Sequence, residues 1–254
     1  MRQLDELVVL VTGGSRGIGR ALVLALVDAG ATVYTCATSN RGLDETVQAC
    51  EGPGAVVAQT ADVTKPAQVD KLLERIRADE GRLDALVNNA GVLGPRAPIE
   101  EVAIEEWRRT MSVNLDGVFI ASKGAIPLLR ESAAGVMVNI SSSVGREGRG
   151  GWGPYAVSKH GVEGLTDTLA DELAADDIAV VSANPGGTAT DMRAEAYPEE
   201  DPDTLPGAAE VAETLALLIR TVGVDQTAAK YDCRELFDAV DQDVDDPSTL
   251  PTAT

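Results

Sequence analysis

The sequence is poor in residues on which several kinds of protein depend. Aromatic side chains make up 3% of its 254 residues, and His160 is the one histidine. Cys36, Cys50 and Cys233 show no metal-ligand spacing, so we expect reduced thiols and no metal site. No apolar run approaches the ~20 residues of a membrane span, and the N-terminus has no secretory signal pattern. These absences predict a cytoplasmic protein.

Positive charge is scarce as well. The chain has 21 basic and 41 acidic residues, for a formal charge of -20. A field of that sign repels phosphate backbones and anionic lipids, so we expect neither nucleic acid nor a membrane surface as a partner. The length and the 44% hydrophobic content suit one α/β domain over residues 1–254.

Short apolar runs alternate with longer helical patterns. The predicted strands are 7–11, 31–37, 55–60, 83–89, 135–141 and 178–184, with an edge strand at 230–233; the helices include 20–29, 43–50, 66–79, 104–129, 155–175 and 209–220. This alternation predicts a single-domain Rossmann fold, a doubly wound parallel sheet of six to seven strands with helices on both faces. The acidic, proline-rich segment 195–207 predicts a surface loop acting as a substrate lid, and 238–254 a mobile acidic tail.

A glycine-rich turn joins the first strand to the first helix, in VTGGSRGIG (11–19). In that context Gly13 permits a tight turn, Gly17 admits a pyrophosphate and Gly19 lets helix pack on strand. The N–H groups at the helix N-terminus would face the phosphates. The motif indicates dinucleotide binding, although a tight turn without a ligand is an alternative that it leaves open.

Cofactor preference depends on the end of the second strand. A carboxylate there would favour NAD(H), but Ala37, Thr38 and Ser39 are not acidic. Arg16 and Arg41 are available cations for the 2′-phosphate of NADP(H). We therefore expect NADP(H) to be preferred, with NAD(H) the alternative if both arginines are solvated surface charges.

A phenol and an ammonium stand one helical turn apart, at Tyr155 and Lys159. Residues four apart share a helix face, and a nearby positive charge lowers the pKa of a phenol from roughly 10. Ser141, Ser142 and Ser143 follow the fifth strand at the end where α/β sheets bind ligands. The pattern indicates proton exchange with a carbonyl or an alcohol.

Taken together, these motifs resemble the short-chain dehydrogenase/reductase family, in its single-domain branch. The resemblance covers residues 7 to about 192 and rests on motifs at family spacing: TGGSRGIG (12–19), ADV (61–63), NNAG (88–91), Asn114, Ser142, Tyr155, Lys159 and PGGTAT (185–190). It implies a catalytic set of Asn114, Ser142, Tyr155 and Lys159.

The resemblance also implies a role for each catalytic residue. Tyr155 would be the acid in ketone reduction and the base in alcohol oxidation, while Ser142 would hydrogen-bond the substrate oxygen. Lys159 would bind the nicotinamide ribose and acidify Tyr155. Asn114 would hold a water that links Lys159 to solvent, with a satisfied core amide as the alternative.

Cofactor contacts follow from the same resemblance. Asp62 would meet adenine, Asn88 would support the cofactor at the fourth strand, and Thr190 would meet the nicotinamide carboxamide. The implied cofactor-binding set is Gly13, Ser15, Arg16, Gly17, Ile18, Gly19, Thr38, Arg41, Asp62, Val63, Asn89, Ala90, Gly91, Tyr155, Lys159, Pro185, Gly186, Thr188 and Thr190.

The predicted function is NADP(H)-dependent reduction of a ketone to a secondary alcohol. Ketoreductases of fatty-acid or polyketide metabolism and alcohol dehydrogenases, including NAD(H)-dependent ones, both stay open. A non-catalytic dinucleotide-binding regulator is a further alternative, although all four catalytic residues are present. An epimerase or dehydratase of the larger related branch would need a substrate domain, for which this sequence has no room.

Assembly and substrate contacts are less determined by the sequence. The resemblance implies a homodimer or homotetramer formed through the helix that bears Tyr155 and the helix before it. The region 227–236 lacks the family's paired glycines, which leaves the tetramer open. Trp152 is a candidate to stack on a substrate, and Arg146 or Arg149 to attract an anionic one, with ordinary loop surface as the alternative. His160 points away from Lys159 around the helix and predicts packing or an interface.

Overall fold

A parallel sheet of seven strands forms the centre of the protein, in a computed structural model that describes residues 2–242, 244 and 246–253. The strands are Val8–Thr12 (β1), Thr32–Ala37 (β2), Ala55–Thr60 (β3), Ala85–Asn88 (β4), Gly135–Ile140 (β5), Ile178–Asn184 (β6) and Lys230–Asp232 (β7). Their order across the sheet is β3-β2-β1-β4-β5-β6-β7, and every pair is parallel. The doubly wound Rossmann fold is confirmed.

Helices cover both faces of the sheet. They are Gly17–Asp28 (α1), Asn40–Gln48 (α2), Pro66–Asp79 (α3), Ile104–Met111 (α4), Gly117–Leu129 (α5), Gly153–Leu173 (α6), Asp191–Ala196 (α7), Ala208–Thr221 (α8) and Phe237–Asp241 (α9). The helix predicted at 104–129 is interrupted by a π-helical segment, Ser112–Asp116. Within the described residues, no helix combines the length and the apolar character needed to cross a membrane.

The core lies on both sides of the sheet because successive strand residues point to opposite faces. Val9 and Val11 of β1 pack with buried residues of α1 and α8. Val8 and Leu10 pack with buried residues of α3, α5 and α6. All five residues of β1 are buried, which explains why that strand reads as an unbroken apolar run.

The C-terminal segment departs from the mobile tail predicted at 238–254. Leu250 is 6% exposed and joins the core cluster on the α1 and α8 face. The backbone N–H of Ala253 donates to the carbonyl of Lys230 over 2.7 Å. The described part of this segment is therefore docked on the domain, because it carries an apolar side chain that the core buries. Met1, Asp243, Asp245 and Thr254, which the domain and tail predictions include, lie outside the described residues.

Candidate active site

The strand order reverses between β1 and β4, and α/β sheets bind ligands at the carboxyl ends of strands beside such a reversal. A cavity of about 550 Å³ lies there. Most predicted cofactor residues line it: Gly13, Ser15, Arg16, Gly17, Ile18, Gly19, Thr38, Asp62, Val63, Asn89, Ala90, Gly91, Tyr155, Lys159, Pro185 and Thr190. Gly186, Thr188 and Ser142 line a neighbouring cavity of about 110 Å³, and Arg41 lines neither.

The glycine turn has the backbone geometry that its sequence predicts. Gly13 and Gly17 have φ angles of 75° and 55°, in the left-handed region that favours glycine. A Cβ on Gly13 would lie 2.9 Å from the Cα of Ala90, and one on Gly17 would project to 3.6 Å from Thr190 Cγ2. Both would narrow the space at the N-terminus of α1. The turn is therefore a cradle that fits the pyrophosphate of a dinucleotide.

Two consecutive asparagines, Asn88 at the end of β4 and Asn89 directly after it, contact different parts of the fold. Asn89 ties the glycine turn to β4, because its side-chain amide donates to the carbonyls of Thr12 (2.9 Å) and Gly13 (3.2 Å). Asn88 is buried and donates to Ser122 Oγ (3.0 Å) and Asn139 Oδ1 (2.8 Å). Asn88 lines neither of the two cavities, and its support of the cofactor stays a prediction.

The predicted preference for NADP(H) depends on Arg16, in the glycine turn, and on residues after β2. Thr38 lines the cavity beside Arg16, whose side chain is 71% exposed and lies 3.7 Å from Asp191. Arg41 instead pairs with Glu45 over 2.8 Å on the exposed face of α2. Of the two predicted phosphate ligands, the structure brings Arg16 to the cavity.

Two further predicted contacts line the same cavity. The Asp62 carboxylate accepts from the backbone N–H of Thr64 over 2.9 Å, which fixes the turn after β3. Thr190 caps α7, with its hydroxyl accepting from the N–H of Arg193 over 3.3 Å. Their roles towards adenine and the carboxamide stay predictions.

Tyr155 and Lys159 face one cavity from the same side of α6. The Nζ of Lys159 lies 5.7 Å from the centre of the Tyr155 ring and donates to the carbonyl of Ile140 over 2.7 Å. The phenol is hydrogen-bonded to the side chain of Ser142, at the end of β5. The structure therefore brings together the three residues that the sequence places at this site.

Burial dominates the acidity of both groups. It raises the pKa of Tyr155 to about 12, against a lowering by the hydrogen bond from Ser142. It lowers the pKa of Lys159 to about 8, against a raising by the charge of Glu163. The sequence-based expectation was that Lys159 acidifies the phenol. The pKa of Tyr155 is raised instead, because the cost of burying the phenolate outweighs the effect of the hydrogen bond from Ser142. At neutral pH the phenol carries its proton and the amine is charged.

Asn114 lies at the middle of the π-helical segment between α4 and α5. Its side-chain oxygen accepts from the N–H of Val92 (2.8 Å), and its amide donates to the Val92 carbonyl (2.9 Å) and to Ser158 Oγ (3.1 Å). These bonds occupy the amide as a satisfied core group. π-helical segments occur frequently at functional sites, and this one adjoins α6.

An aromatic and cationic cluster borders the smaller cavity. Trp152 is buried and packs against Tyr155 and Tyr197, with ring centres 5.9 and 5.8 Å away. The guanidinium of Arg96 lies 4.4 Å from the Trp152 ring and 4.8 Å from that of Tyr197. Trp152 is thus a wall of the cleft rather than a free stacking surface. Neither Arg96 nor Tyr197 was predicted as a site residue; the available signal was a tyrosine within the predicted lid of an aromatic-poor chain.

The remaining residues considered for the substrate end of the site, Arg146, Arg149 and His160, line neither cavity. Arg146 is bound to Glu163 (3.3 Å) and Asp232 (3.2 Å), so its charge is already compensated inside the fold. Arg149 is exposed and donates to the Tyr197 hydroxyl over 3.4 Å. His160 is exposed, and its Nδ1 lies 2.9 Å from the Ala156 carbonyl.

Comparisons with known proteins agree with the fold and the cleft. A family model described as short chain dehydrogenase matches residues 7–201. An uncharacterized oxidoreductase of Escherichia coli, YciK, is 35% identical over 236 residues, which cover 91% of this chain and 93% of that protein. The 3-oxoacyl-[acyl-carrier-protein] reductase FabG of Thermotoga maritima is 38% identical over 203 residues, covering 80% and 82%. A short-chain dehydrogenase structure from Shigella flexneri, complexed with NADP, has a TM-score of 0.82 at 34% identity and covers 91% of this chain and 98% of its own.

Fold, cleft and relatives define an oxidoreductase. The chain belongs to the short-chain dehydrogenase family.

Proposed function

We propose that this protein is an NADP(H)-dependent carbonyl reductase that converts a ketone to a secondary alcohol. One observation carries the proposal: Tyr155, hydrogen-bonded to Ser142, shares a cavity with Lys159 and the glycine cradle. The relatives named as 3-oxoacyl reductases and the NADP complex of a similar structure support it. A compact apolar or acyl-type ketone suits the cavity of about 110 Å³ beside Tyr155.

The chain's own residues account for the proton chemistry. When bound, NADPH would supply the hydride for the carbonyl carbon. Ser142 and Tyr155 hold the carbonyl oxygen by hydrogen bonds, and the phenol passes its proton to that oxygen as negative charge develops. The ammonium of Lys159 stabilises the phenolate that results. Trp152 and Tyr197 keep water from the apolar side of the cleft.

A panel of carbonyl compounds tests the activity directly. Purified protein is expected to oxidise NADPH, measured as a loss of NADPH absorbance, in the presence of at least one β-ketoacyl thioester or compact cyclic ketone. Reactions without ketone and reactions with the Tyr155→Phe variant are the controls. The proposal would be contradicted if protein shown to bind NADPH oxidised none of it with aliphatic, cyclic or acyl-thioester ketones.

NADPH is expected to be preferred over NADH by about tenfold or more in kcat/KM, because Arg16 can pair with the 2′-phosphate. Arg16→Ala should remove most of this preference and leave the NADH value nearly unchanged. Arg20→Ala, one turn further along α1, is the matched control. A tenfold preference for NADH in the wild type would refute the cofactor assignment.

Two adjacent serines are expected to differ sharply. Ser142→Ala should lower kcat by about 10²-fold, because it removes a hydrogen bond to the phenol and to the developing charge. Ser141→Ala is the matched control. Within the described chain the buried Ser141 Oγ has no hydrogen-bond partner, so its removal should change kcat little. Equal effects in steady-state kinetics would argue against the role given to Ser142.

The pH profile of reduction should follow Lys159 on its basic side. The phenol, with a pKa of about 12, keeps its proton throughout the assay range, whereas the ammonium loses its charge as pH rises through its pKa of about 8. We expect kcat to be level below about pH 7 and to fall above about pH 8. A profile that stays level to about pH 10 would contradict the role of Lys159.

Two structural expectations belong to the same proposal. The segment 195–207 covers the substrate end of the cleft as a lid, with Tyr197 as its contact to Trp152. The protein assembles as a homodimer or homotetramer through α5 and α6, where Phe119 and Val157 are 50% and 44% exposed.

A further inference from the structure

A buried carboxylate lies one helical turn beyond Lys159 and has no part in the mechanism above. Glu163 is 6% exposed, although it belongs to α6 and carries a charge. Tyr155, Lys159 and Glu163 are spaced four residues apart, so they follow one another along the same side of the helix. Buried charges are costly unless they are paired, so this carboxylate calls for an explanation.

Three neighbouring elements hold the Glu163 carboxylate in place. It accepts from Ser182 Oγ on β6 over 2.8 Å and from Arg146 Nε, in the turn after β5, over 3.3 Å. Lys230 Nζ on β7 lies 3.8 Å away. Arg146 in turn pairs with Asp232 on β7 over 3.2 Å. The position of the carboxylate is therefore fixed from outside α6.

Lys159 needs an opposite charge that its hydrogen bond does not provide. It is 4% exposed, and its ammonium donates to the neutral carbonyl of Ile140. Burial lowers the pKa of Lys159 to about 8, and the attraction of Glu163 opposes that effect. The other carboxylate on this stretch of α6, Asp167, points to solvent and pairs with Lys230 over 3.2 Å.

We propose that Glu163 is a positioning residue of the active site, whose fixed carboxylate keeps the Lys159 ammonium charged in its buried position. Arg146 and Ser182 hold the carboxylate, so the charge state of the site depends on the packing of α6 against β6 and β7. The consequence for turnover rests on the proposed function, whereas the electrostatic coupling does not.

Lysine NMR tests the coupling without an activity assay. The chain has five lysines, Lys65, Lys71, Lys123, Lys159 and Lys230, so the ¹³Cε signals of lysine-labelled protein can be assigned by single Lys→Arg variants. In Glu163→Gln, which keeps the shape and the acceptor for Ser182, the titration midpoint of Lys159 should fall by about one pH unit. An unchanged midpoint in the folded variant would overturn the proposal and leave Glu163 a structural residue.

Asp167→Asn is the matched control, because it removes a carboxylate from the same helix and from a salt bridge with Lys230. It should leave both the Lys159 midpoint and turnover unchanged; a fall equal to that in Glu163→Gln would also overturn the proposal. In Glu163→Gln the basic limb of the kcat profile should move to lower pH with the NMR midpoint. A moved midpoint with an unmoved profile would sustain the coupling and contradict the proposed function of Lys159.

A second variant covers the case in which Glu163→Gln fails to fold. Arg146→Gln removes the cation that partly neutralises Glu163, so the Lys159 midpoint should rise above its wild-type value. A midpoint that stays or falls would contradict the positioning role.

Discussion

Tyr155→Phe is expected to lower reductive turnover by about 10²–10⁴-fold, the range typical of a lost general acid. The phenol is the proton donor that the cavity offers, because its pKa of about 12 keeps it protonated at neutral pH. Phenylalanine fills the same volume beside Trp152 and keeps the ring contact. The loss should therefore appear in kcat, while the dissociation constant of NADPH, measured by fluorescence titration, changes little.

Tyr197→Phe provides the control for this result. It makes the same substitution at another tyrosine that packs on Trp152, and removes a hydroxyl that accepts from Arg149 over 3.4 Å and is also hydrogen-bonded to Arg193. Its turnover should stay within a few-fold of the wild type. If Tyr155→Phe lowered kcat no more than Tyr197→Phe does, proton donation by Tyr155 would be refuted.

Gly19→Ala is expected to disrupt both the fold and cofactor binding. A Cβ at this position would lie 2.3 Å from the carbonyl oxygen of Gly13 and 2.3 Å from Asn89 Nδ2. One obstacle is backbone and the other is the amide that ties the turn to β4, so neither can yield without opening the cradle. The free energy of unfolding should fall by about 2–3 kcal/mol. The dissociation constant of NADPH should rise at least about tenfold, because the pyrophosphate cradle is displaced.

The matched control is Gly150→Ala, since that glycine has open space where a Cβ would be added. Denaturant unfolding and NADPH titration should both give values close to the wild type. Wild-type cofactor affinity in folded Gly19→Ala would show that the close approach of α1 to the turn is dispensable for binding.

The order of strands and helices could be predicted because it depends on local patterns. The strands β1 and β5 are buried on both faces, and each is a largely apolar run in the sequence. A glycine follows the end of the helix after β1. These signals lie within the elements themselves or directly beside them. The beginning of α1 was predicted three residues too late, since Gly17 and Gly19 belong to its first turn. The π-helical interruption at Ser112–Asp116 had no pattern of its own.

The surroundings of a side chain could not be predicted where a distant partner decides them. Arg146 could have faced a substrate, but Glu163 and Asp232, from α6 and β7, compensate its charge. Leu250 lies in an acidic, proline-containing stretch, and its place in the core cluster with residues of α1 and α8 depends on the tertiary fold. Local composition could not reveal either contact.

The class of fold, the glycine turn and the spacing of Tyr155 and Lys159 could be read from local sequence, because strand patterning, backbone freedom and helical periodicity are properties of neighbouring residues. The pKa shifts of the phenol and the ammonium, and the partners of the buried Glu163, depend on the tertiary fold. Burial and long-range charge set those quantities, and both depend on which distant segments pack around a group.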